Sequence, residues 1–564
     1  MKNKNIKLII CSFLLALGMV SCETTELELL QDPTDVTNDQ LDPDQLFNSI
    51  QLDFDDFVQN TAGDASFTAQ VTRSFAMTGG NQYVNAFSPS SFNTIWSSAY
   101  AGVLADINTL EPIAEEQGLT YQLGVAKIMK AYVLFTLVDM FGDVPYSEAL
   151  LGNGNLNPNV DSQTDVYSIA FAELDEAIAI LGTDTNSLPS NDLYYPSTTT
   201  SVETQATWIT VAKSLKLRTL NNIRLNGAPL NINVAAEMTA LINENDLIDT
   251  PAEDWQFNYG SSRVNPDARH RGYDRYYENG ALGYMSNYLM WTMIDEKNNE
   301  DPRLPYYFYR QDISAVGEDI FTLGCQFQSA PGHFGSISSI YNGEDLPFCT
   351  ADAARGYWGR DHGDNGGIPP DDLKRTVYGV YPVGGKFDEG NAGDVQNAGA
   401  DGNLKGAGIT PIILSSYINF IKAEAQLILG VPGDARTSLE NGIRESMSKV
   451  NSFDSSASGM LASQVNNYIA EVLALYDASG TQGKLDVIMK EYFIASFGNG
   501  LETYNGYRRT GFPSNYQPTL EPNPGAYYRS ALYPADYVNN NVNATQKDRT
   551  EQVFWDTNPA GFIY

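Results

Sequence analysis

The run Ala126-Lys-Ile-Met-Lys-Ala-Tyr-Val-Leu-Phe-Thr-Leu-Val-Asp-Met-Phe-Gly142, continued by Asp143-Val-Pro-Tyr-Ser-Glu-Ala149, carries more structural information than any other part of this chain. Apolar residues fall at Val125, Ile128, Met129, Tyr132, Phe135 and Met140 and at most positions between. Only Lys127, Lys130 and Asp139 interrupt them. A helix apolar on most sides sits between other helices, not on a surface. Roughly 20 residues would suit a membrane span, but the internal charges and the polar start at Thr120 argue against one. Gly142 can adopt the positive φ on which helices stop, and Pro145 blocks continuation. Physical reasoning alone therefore predicts a central core helix in an all-α protein.

Working outward, Leu46–Asn60 reads as a first amphipathic helix and Phe67–Met77 as a second. The loop Thr78-Gly-Gly-Asn-Gln-Tyr83 follows. Phe92–Ala114 places Trp96, Tyr100, Val103, Leu104, Ile107 and Leu110 on one face, and forms a hairpin with the core helix. Val166–Leu181 is a further helix, with Ser162 or Thr164 as its N-cap, and Trp208–Arg224 is its partner. Repeated antiparallel pairs of this length suggest tetratricopeptide-type packing, although the spacing is too irregular for a regular array. The fold class expected is therefore mainly α, in tetratricopeptide-like helical hairpins. Residues 250–410, rich in Gly, Asn, Asp and Tyr, interrupt it as a large loop-rich insertion with one clear helix, Ala281–Lys297. Long irregular segments in large domains are usually functional. Helix pairing resumes with Ile412–Leu429, a helix opened by Gly433-Asp434-Ala435, Val465–Tyr476 and Leu485–Phe497.

The chain has 564 residues, beyond the usual size of a single core. Its formal charge is −35, and residues 1–21 hold three lysines and no acid, so the chain beyond them stands three lower, at −38. A body this acidic is repelled by nucleic acid and by anionic lipid, and no basic patch offsets it, so nucleic-acid binding is rejected. The 33 tyrosines offer flat apolar faces with polar edges, suited to wet binding surfaces or to a Tyr-rich core. Of four cysteines, Cys11 and Cys22 lie in the leader. Cys325 and Cys349 are free to form a disulfide in an oxidising compartment, a point the sequence leaves open. Two such cysteines and three histidines exclude a dense zinc framework.

Residues 1–21 combine a basic start (Lys2, Lys4, Lys7) with an apolar run, Leu8–Val20, and read as a secretory signal peptide. The run ends Gly18-Met-Val-Ser-Cys22, which resembles a bacterial lipobox with Cys22 as the lipidated first residue. Glu23, Glu26 and Glu28 follow, resembling the surface-export tether of lipoproteins in Bacteroidetes-type bacteria. Residues 22–44 are thus expected to be an acidic flexible tether, and 45–564 the folded domain.

The exit Met140-Phe-Gly-Asp-Val-Pro-Tyr146 closely resembles the signature helix of the SusD/RagB family of outer-membrane nutrient-binding lipoproteins. Gln163-Thr-Asp-Val-Tyr with Leu174-Asp-Glu-Ala-Ile178, Ala212-Lys-Ser-Leu-Lys-Leu-Arg218, Phe420-Ile-Lys-Ala-Glu-Ala425 and Tyr507-Arg-Arg-Thr-Gly-Phe-Pro513 continue the likeness in the family's order. Blocks 126–149, 163–178, 208–218, 420–447 and 485–556 span most of the chain. Tyr504 stands where the subgroup usually has Trp, and Asp536 where it usually has Glu. The resemblance implies a lipid-anchored protein at the outer membrane, facing the exterior. Such a protein caps a TonB-dependent, SusC-like barrel and captures a glycan, oligosaccharide or peptide without chemistry. This chain is not itself the barrel, because it has no series of alternating ten-residue strands. The alternatives are a helical scaffold that binds only its barrel, or a surface hydrolase. No catalytic motif supports the latter, although distant acids can always meet in space.

Sugars stack C–H faces on aromatic rings, so loop aromatics and their polar neighbours are the ligand candidates: Asn81, Tyr83, Trp291, Tyr306, Tyr307 and Trp358. Each ring has a competing role as core. In Trp358-Gly-Arg-Asp-His-Gly-Asp-Asn-Gly-Gly-Ile-Pro-Pro-Asp-Asp372, Asp361, Asp364 and Asp371 offer hard oxygens to Ca²⁺, without EF-hand spacing. The same residues read equally as turn caps or as a ligand or barrel contact. Arg508-Arg509 reads as a structural pair holding buried carboxylates.

Overall fold

The computed structural model describes residues 41–183, 188–196, 201–264, 266–278, 282–310, 348–352, 354–366, 375–390, 404–521 and 523–564. Helix α1 (Pro43–Thr61) starts where Asp42 accepts from the Asp44 amide and Pro43 presets the first turn. Helix α2 is only Phe67–Val71, shorter than its pattern suggests. It stops because Arg73 takes a φ of +61° and turns inward. The buried guanidinium then donates to Gln517 O (2.9 Å), Val71 O (2.7 Å) and Tyr564 O (3.0 Å), carbonyls a continued helix could not reach. The segment expected as one helix from Phe92 runs instead as a 3₁₀ turn (Pro89–Phe92), a short α-helix (Asn93–Ser97), a π turn (Ser98–Val103) and α3 (Leu104–Gln117).

Helix α4 (Thr120–Phe141) is buried at every position from Tyr121 to Phe141. No face is left for solvent, which is why its sequence shows no amphipathic period. Gly124 lets Leu181 come close: a Cβ there would meet Leu181 Cγ at 2.5 Å. The charges of α4 are answered by its neighbours. Lys127 Nζ lies 2.8 Å from Glu173, and Lys130 Nζ 2.7 Å from Glu173 and 2.9 Å from Glu111. Gly142 ends the helix at φ +79°. The freed carbonyls of Met140 and Phe141 accept from Ala531 N (2.6 Å) and Lys547 Nζ (2.5 Å).

Helices α3 and α4, α4 and α5 (Gln163–Leu181, capped by Ser162), and α5 and α6 (Ser201–Asn222) pack as successive neighbours. Helix α7 (Val234–Glu244) lies on α6. A second group comprises α9 (Ser415–Leu429), α10 (Ala435–Ser452, capped by Asp434), α11 (Ala462–Ala478), α12 (Thr481–Ala495) and α13 (Gly500–Thr510). Contacts of α6 with α9 join the two groups. The fold is thus mainly α, in paired helices, as its patterning predicts.

In the middle region the expected helix Ala281–Lys297 is reduced to α8 (Asn287–Ile294), capped by Ser286. Met285, just before it, is held extended by a bridge to Phe75, and its carbonyl accepts from Arg360 N at 3.0 Å. Among the described residues, six short strands, unforeseen in the sequence, tie this region down. They are β1 (Trp255–Asn258), β2 (Phe308–Tyr309), β3 (Thr350–Asp352), β4 (Tyr357–Trp358), β5 (Val377–Tyr378) and β6 (Ile409–Ile413). They pair antiparallel as β1–β6, β2–β5 and β3–β4. Among the described residues, no helix is long and apolar enough to cross a membrane.

Candidate functional site

The predicted aromatic platforms prove to be interior. Tyr83 and Tyr307 are fully buried, and Trp291, Tyr306 and Trp358 are at most 2% exposed. Tyr83 Oη meets Arg73 at 3.1 Å and His362 Nε2 at 3.2 Å. Tyr307 stacks on Phe497 with centroids 4.5 Å apart and donates to Ile494 O. Tyr306 donates to Ser458 O at 2.9 Å, and Trp358 N to Thr376 Oγ1 at 3.0 Å. A sugar face needs an open ring, and these rings are walled in by protein, so they are core residues. Asn81 is half-buried and its amide donates to Glu521 at 3.3 Å.

The Asp-rich loop spends its oxygens internally. Asp361 Oδ1 accepts from Gln517 Nε2 (2.6 Å) and Oδ2 from Cys349 N (2.7 Å). Asp364 pairs with Arg360 at 2.9 Å and caps Gly366 N. Asp364 thus acts as a turn cap, whereas Asp361 ties the loop to Gln517 and to the Cys349 backbone. The described residues hold no metal-ligating cluster, while Asp371 lies outside them. Cys349 is buried and disulfide-bonded; Cys325, the candidate partner the sequence leaves open, and Cys22 also lie outside the described residues.

A cleft of about 440 Å³ has the better composition. One wall is the end of α1 (Gln59, Asn60), the turn at Asp64–Ser66, and Phe67 and Gln70 of α2. The other is the 79–95 segment, with Gly79, Phe87, Ser91 and Thr94. Arg271 and Arg275, from the middle region, close it. Local chemistry sets each piece. Ala65 at φ +53° turns the chain after α1, and Ser66 Oγ then caps α2 by accepting from Ala69 N at 3.2 Å. Gly63 leaves room for the Gln59 side chain, since a Cβ there would meet Gln59 Oε1 at 2.2 Å.

The charges in the cleft are paired with each other. Arg275 lies 3.2 Å from Asp64, and Arg271 donates to Asn60 Oδ1 at 3.0 Å. The Asp64 carboxylate raises the Arg275 pKa above its ordinary value. Several polar atoms are nonetheless buried without a hydrogen bond: Gln59 Oε1, both Asp64 oxygens and Arg271 Nε. Those atoms have almost no accessible surface, and Asp64 is answered by Arg275, so what a ligand meets is the rest of the polar lining: Asn60, Gln70, Ser91, Thr94 and the two arginines. That lining offers acceptors and donors close together, as hydroxyl groups require, since each both donates and accepts. Behind it, burial pushes the His270 pKa down to about 4 and that of Asp55 up to about 6. Thr410 and Tyr259 donate to that Asp55 carboxyl, and Gln59 Nε2 donates to Thr410 Oγ1 at 2.6 Å, so the network fixes the Gln59 amide at the cleft's edge.

Sequence reasoning placed recognition in the loop around Tyr83 and across 250–410, and the cleft lies between Gly79–Ile95 and Arg271–Arg275. Its candidates do not include Gln59, Asp64, Gln70, Arg271 or Arg275, which line that cleft. The only local signal was the i, i+4 pair of arginines in Arg271-Gly-Tyr-Asp-Arg275.

Solved structures share this architecture. A SusD homolog from Bacteroides ovatus superposes with a TM-score of 0.66 at 18% identity, covering 92% of this chain and 99% of that one. A SusD homolog from Bacteroides fragilis gives 0.65 at 19%, again covering 92% and 99%. A chitin-binding SusD homolog from Flavobacterium johnsoniae gives 0.62 at 17%, with the same coverage. These identities speak for a common fold. No curated protein matches the sequence. The SusD-like family described as starch-binding and associating with the outer membrane matches residues 33–331 and 371–534, most of the sequence, and the chain belongs to that family.

Proposed function

We propose that this protein is a cell-surface lipoprotein that holds a neutral oligosaccharide in the Gln59–Arg275 cleft and passes it to a TonB-dependent, SusC-like barrel. The observation that carries the reading is the polar lining of an open cleft, where the amides of Asn60 and Gln70, the hydroxyls of Ser91 and Thr94 and the Arg271 guanidinium converge. Neutral sugar is favoured over peptide or polyanion for two reasons. The arginines of the cleft are matched by acids, and a net charge of −35 repels an anionic chain. The chitin-binding relative is consistent with that class of ligand. The cleft would bind by hydrogen bonds, with Phe87, half-buried at its wall, as the apolar surface.

Calorimetry of the mature chain against neutral oligosaccharides, uronic-acid oligosaccharides and peptides tests this. Binding should be confined to the neutral class, and Arg271→Ala or Gln70→Ala should weaken it roughly tenfold or more, the loss of a hydrogen bond or two. Binding that is unchanged in both variants would move the site elsewhere. A chain that binds no panel member yet co-purifies with a barrel would be a scaffold, and turnover of a panel member would make it a hydrolase. For the anchor, Cys22→Ala should shift the protein from the membrane to the soluble fraction; retention in the membrane would refute lipidation at Cys22.

A further inference from the structure

A lysine, a primary amide and a carboxylate meet away from the cleft, on the wall of a separate cavity of about 330 Å³. Lys490 comes from α12, Glu296 from the turn after α8, and Asn515 from the segment after α13. Lys490 Nζ lies 2.7 Å from Asn515 Oδ1. Glu296 Oε1 lies 2.5 Å from that Nζ and 2.7 Å from Asn515 Nδ2. One carboxylate oxygen thus touches both a nucleophile and a leaving group, and the amine touches the carbonyl it would attack. Tyr288 Oη donates to Asn515 Oδ1 at 3.0 Å, where negative charge develops when that carbonyl is attacked. The rings of Tyr288, Phe493 and Tyr516 pack together around the group. The Lys490 and Glu296 side chains are 9% and 15% exposed.

A lysine in water is a charged ammonium and inert toward amides. Here burial lowers the Lys490 pKa, Glu296 opposes that, and the nearby Lys297 adds to it, leaving the amine below its ordinary value. Burial raises the Glu296 carboxyl, but Lys490 and Lys297 pull it below its ordinary value, so it begins ionised and able to take a proton.

We propose that Lys490 and Asn515 are joined by an intramolecular isopeptide bond that forms unaided once the chain has folded. Glu296 takes a proton from the Lys490 ammonium. The freed lone pair forms the new N–C bond at Asn515 Cγ. Glu296 relays that proton and a second one from Nζ to Nδ2, the Cγ–Nδ2 bond breaks, and the nitrogen leaves as ammonium through the cavity. Ammonium side chain and amide become secondary amide and ammonium ion. Glu296 ends as it began, and no oxidant is involved. The bond would lock α12 to the segment that follows the Arg508–Arg509 helix.

Mass spectrometry of the full mature chain tests the proposal. The intact denatured protein should be lighter than its sequence by one ammonia. Its tryptic digest should lack cleavage after Lys490 and contain the Lys490 and Asn515 peptides as one species. Lys490→Met, Asn515→Ala and Glu296→Gln should each restore the full mass. A native chain at full sequence mass, cleaved normally after Lys490, would overturn the proposal whether or not any variant folds. So would a mass deficit that survives in Lys490→Met, which would place the ammonia loss elsewhere.

Discussion

Asp139→Ala should be among the most damaging single substitutions in this protein, lowering stability by on the order of 5 kcal/mol. Asp139 lies in the last turn of α4 with no solvent exposure. Its Oδ1 accepts from Trp555 Nε1 at 2.8 Å and from the Tyr167 hydroxyl; its Oδ2 accepts from Asn505 Nδ2 at 2.8 Å and Asn222 Nδ2 at 3.3 Å. Those donors come from α5, α6, α13 and the C-terminal segment, so one carboxylate ties four elements to the core helix. Alanine would strand all four donors in the interior, and each unsatisfied buried group costs about 1–3 kcal/mol. Asp139→Asn keeps one acceptor oxygen and should fall between alanine and the native chain. Urea titrations followed by tryptophan fluorescence would rank the three. A native-like midpoint for the alanine variant would show that the node does not hold the helices together.

The second large effect concerns Glu424 on α9, and it has a pH signature. Its carboxylate is fully buried and gripped by the Arg509 fork, with Nε and Nη2 each at 2.7 Å, by Arg224 Nε at 2.9 Å and by Asn221 Nδ2 at 2.9 Å. Burial alone would raise its pKa, but Arg509 and Arg224 outweigh burial and hold it at about 2, against an ordinary 4.5. A depressed folded-state pKa contributes stability that is fully present above about 4.5 and disappears as pH falls toward about 2. The difference corresponds to on the order of 3 kcal/mol. Glu424→Gln should therefore remove that part of the acid sensitivity between those pH values, and at neutral pH cost about 3–5 kcal/mol by leaving two buried arginines uncompensated. Stability curves of both proteins from pH 7 to pH 2 would test it; parallel curves would contradict it. Arg508-Arg509, which reads in the sequence as a carboxylate-holding pair, divides the work. Arg509 grips Glu424, whereas Arg508 donates to backbone carbonyls of Asp139 and Arg529 at 2.7 Å each.

The helices were legible because burial on a helix leaves a local record. The unbroken apolar run of α4, the Ser162 cap of α5 and the Asp434 cap of α10 are all written within a few neighbouring residues. The errors arose where distant residues decide. Helix α2 ends early because Arg73 has partners at Gln517 and Tyr564. The expected 281–297 helix is cut short because Met285 is recruited by Phe75 and Arg360. The strands are two to five residues long, and each pair joins segments whose register no local pattern records.

The sequence by itself determined the helical body, its main hairpins and the family, because periodicity, caps and the Phe141-Gly-Asp-Val-Pro145 exit are properties of adjacent residues. Only the tertiary structure decided which polar groups face a cleft and which aromatics are core. Tyr83, Trp291 and Trp358 look alike in sequence to exposed stacking residues, since exposure depends on what packs over a ring from elsewhere in the chain. Gln59 and Arg271 lie more than two hundred positions apart, and no local rule places their side chains on one cleft. That follows only once α1 and the middle region have packed together.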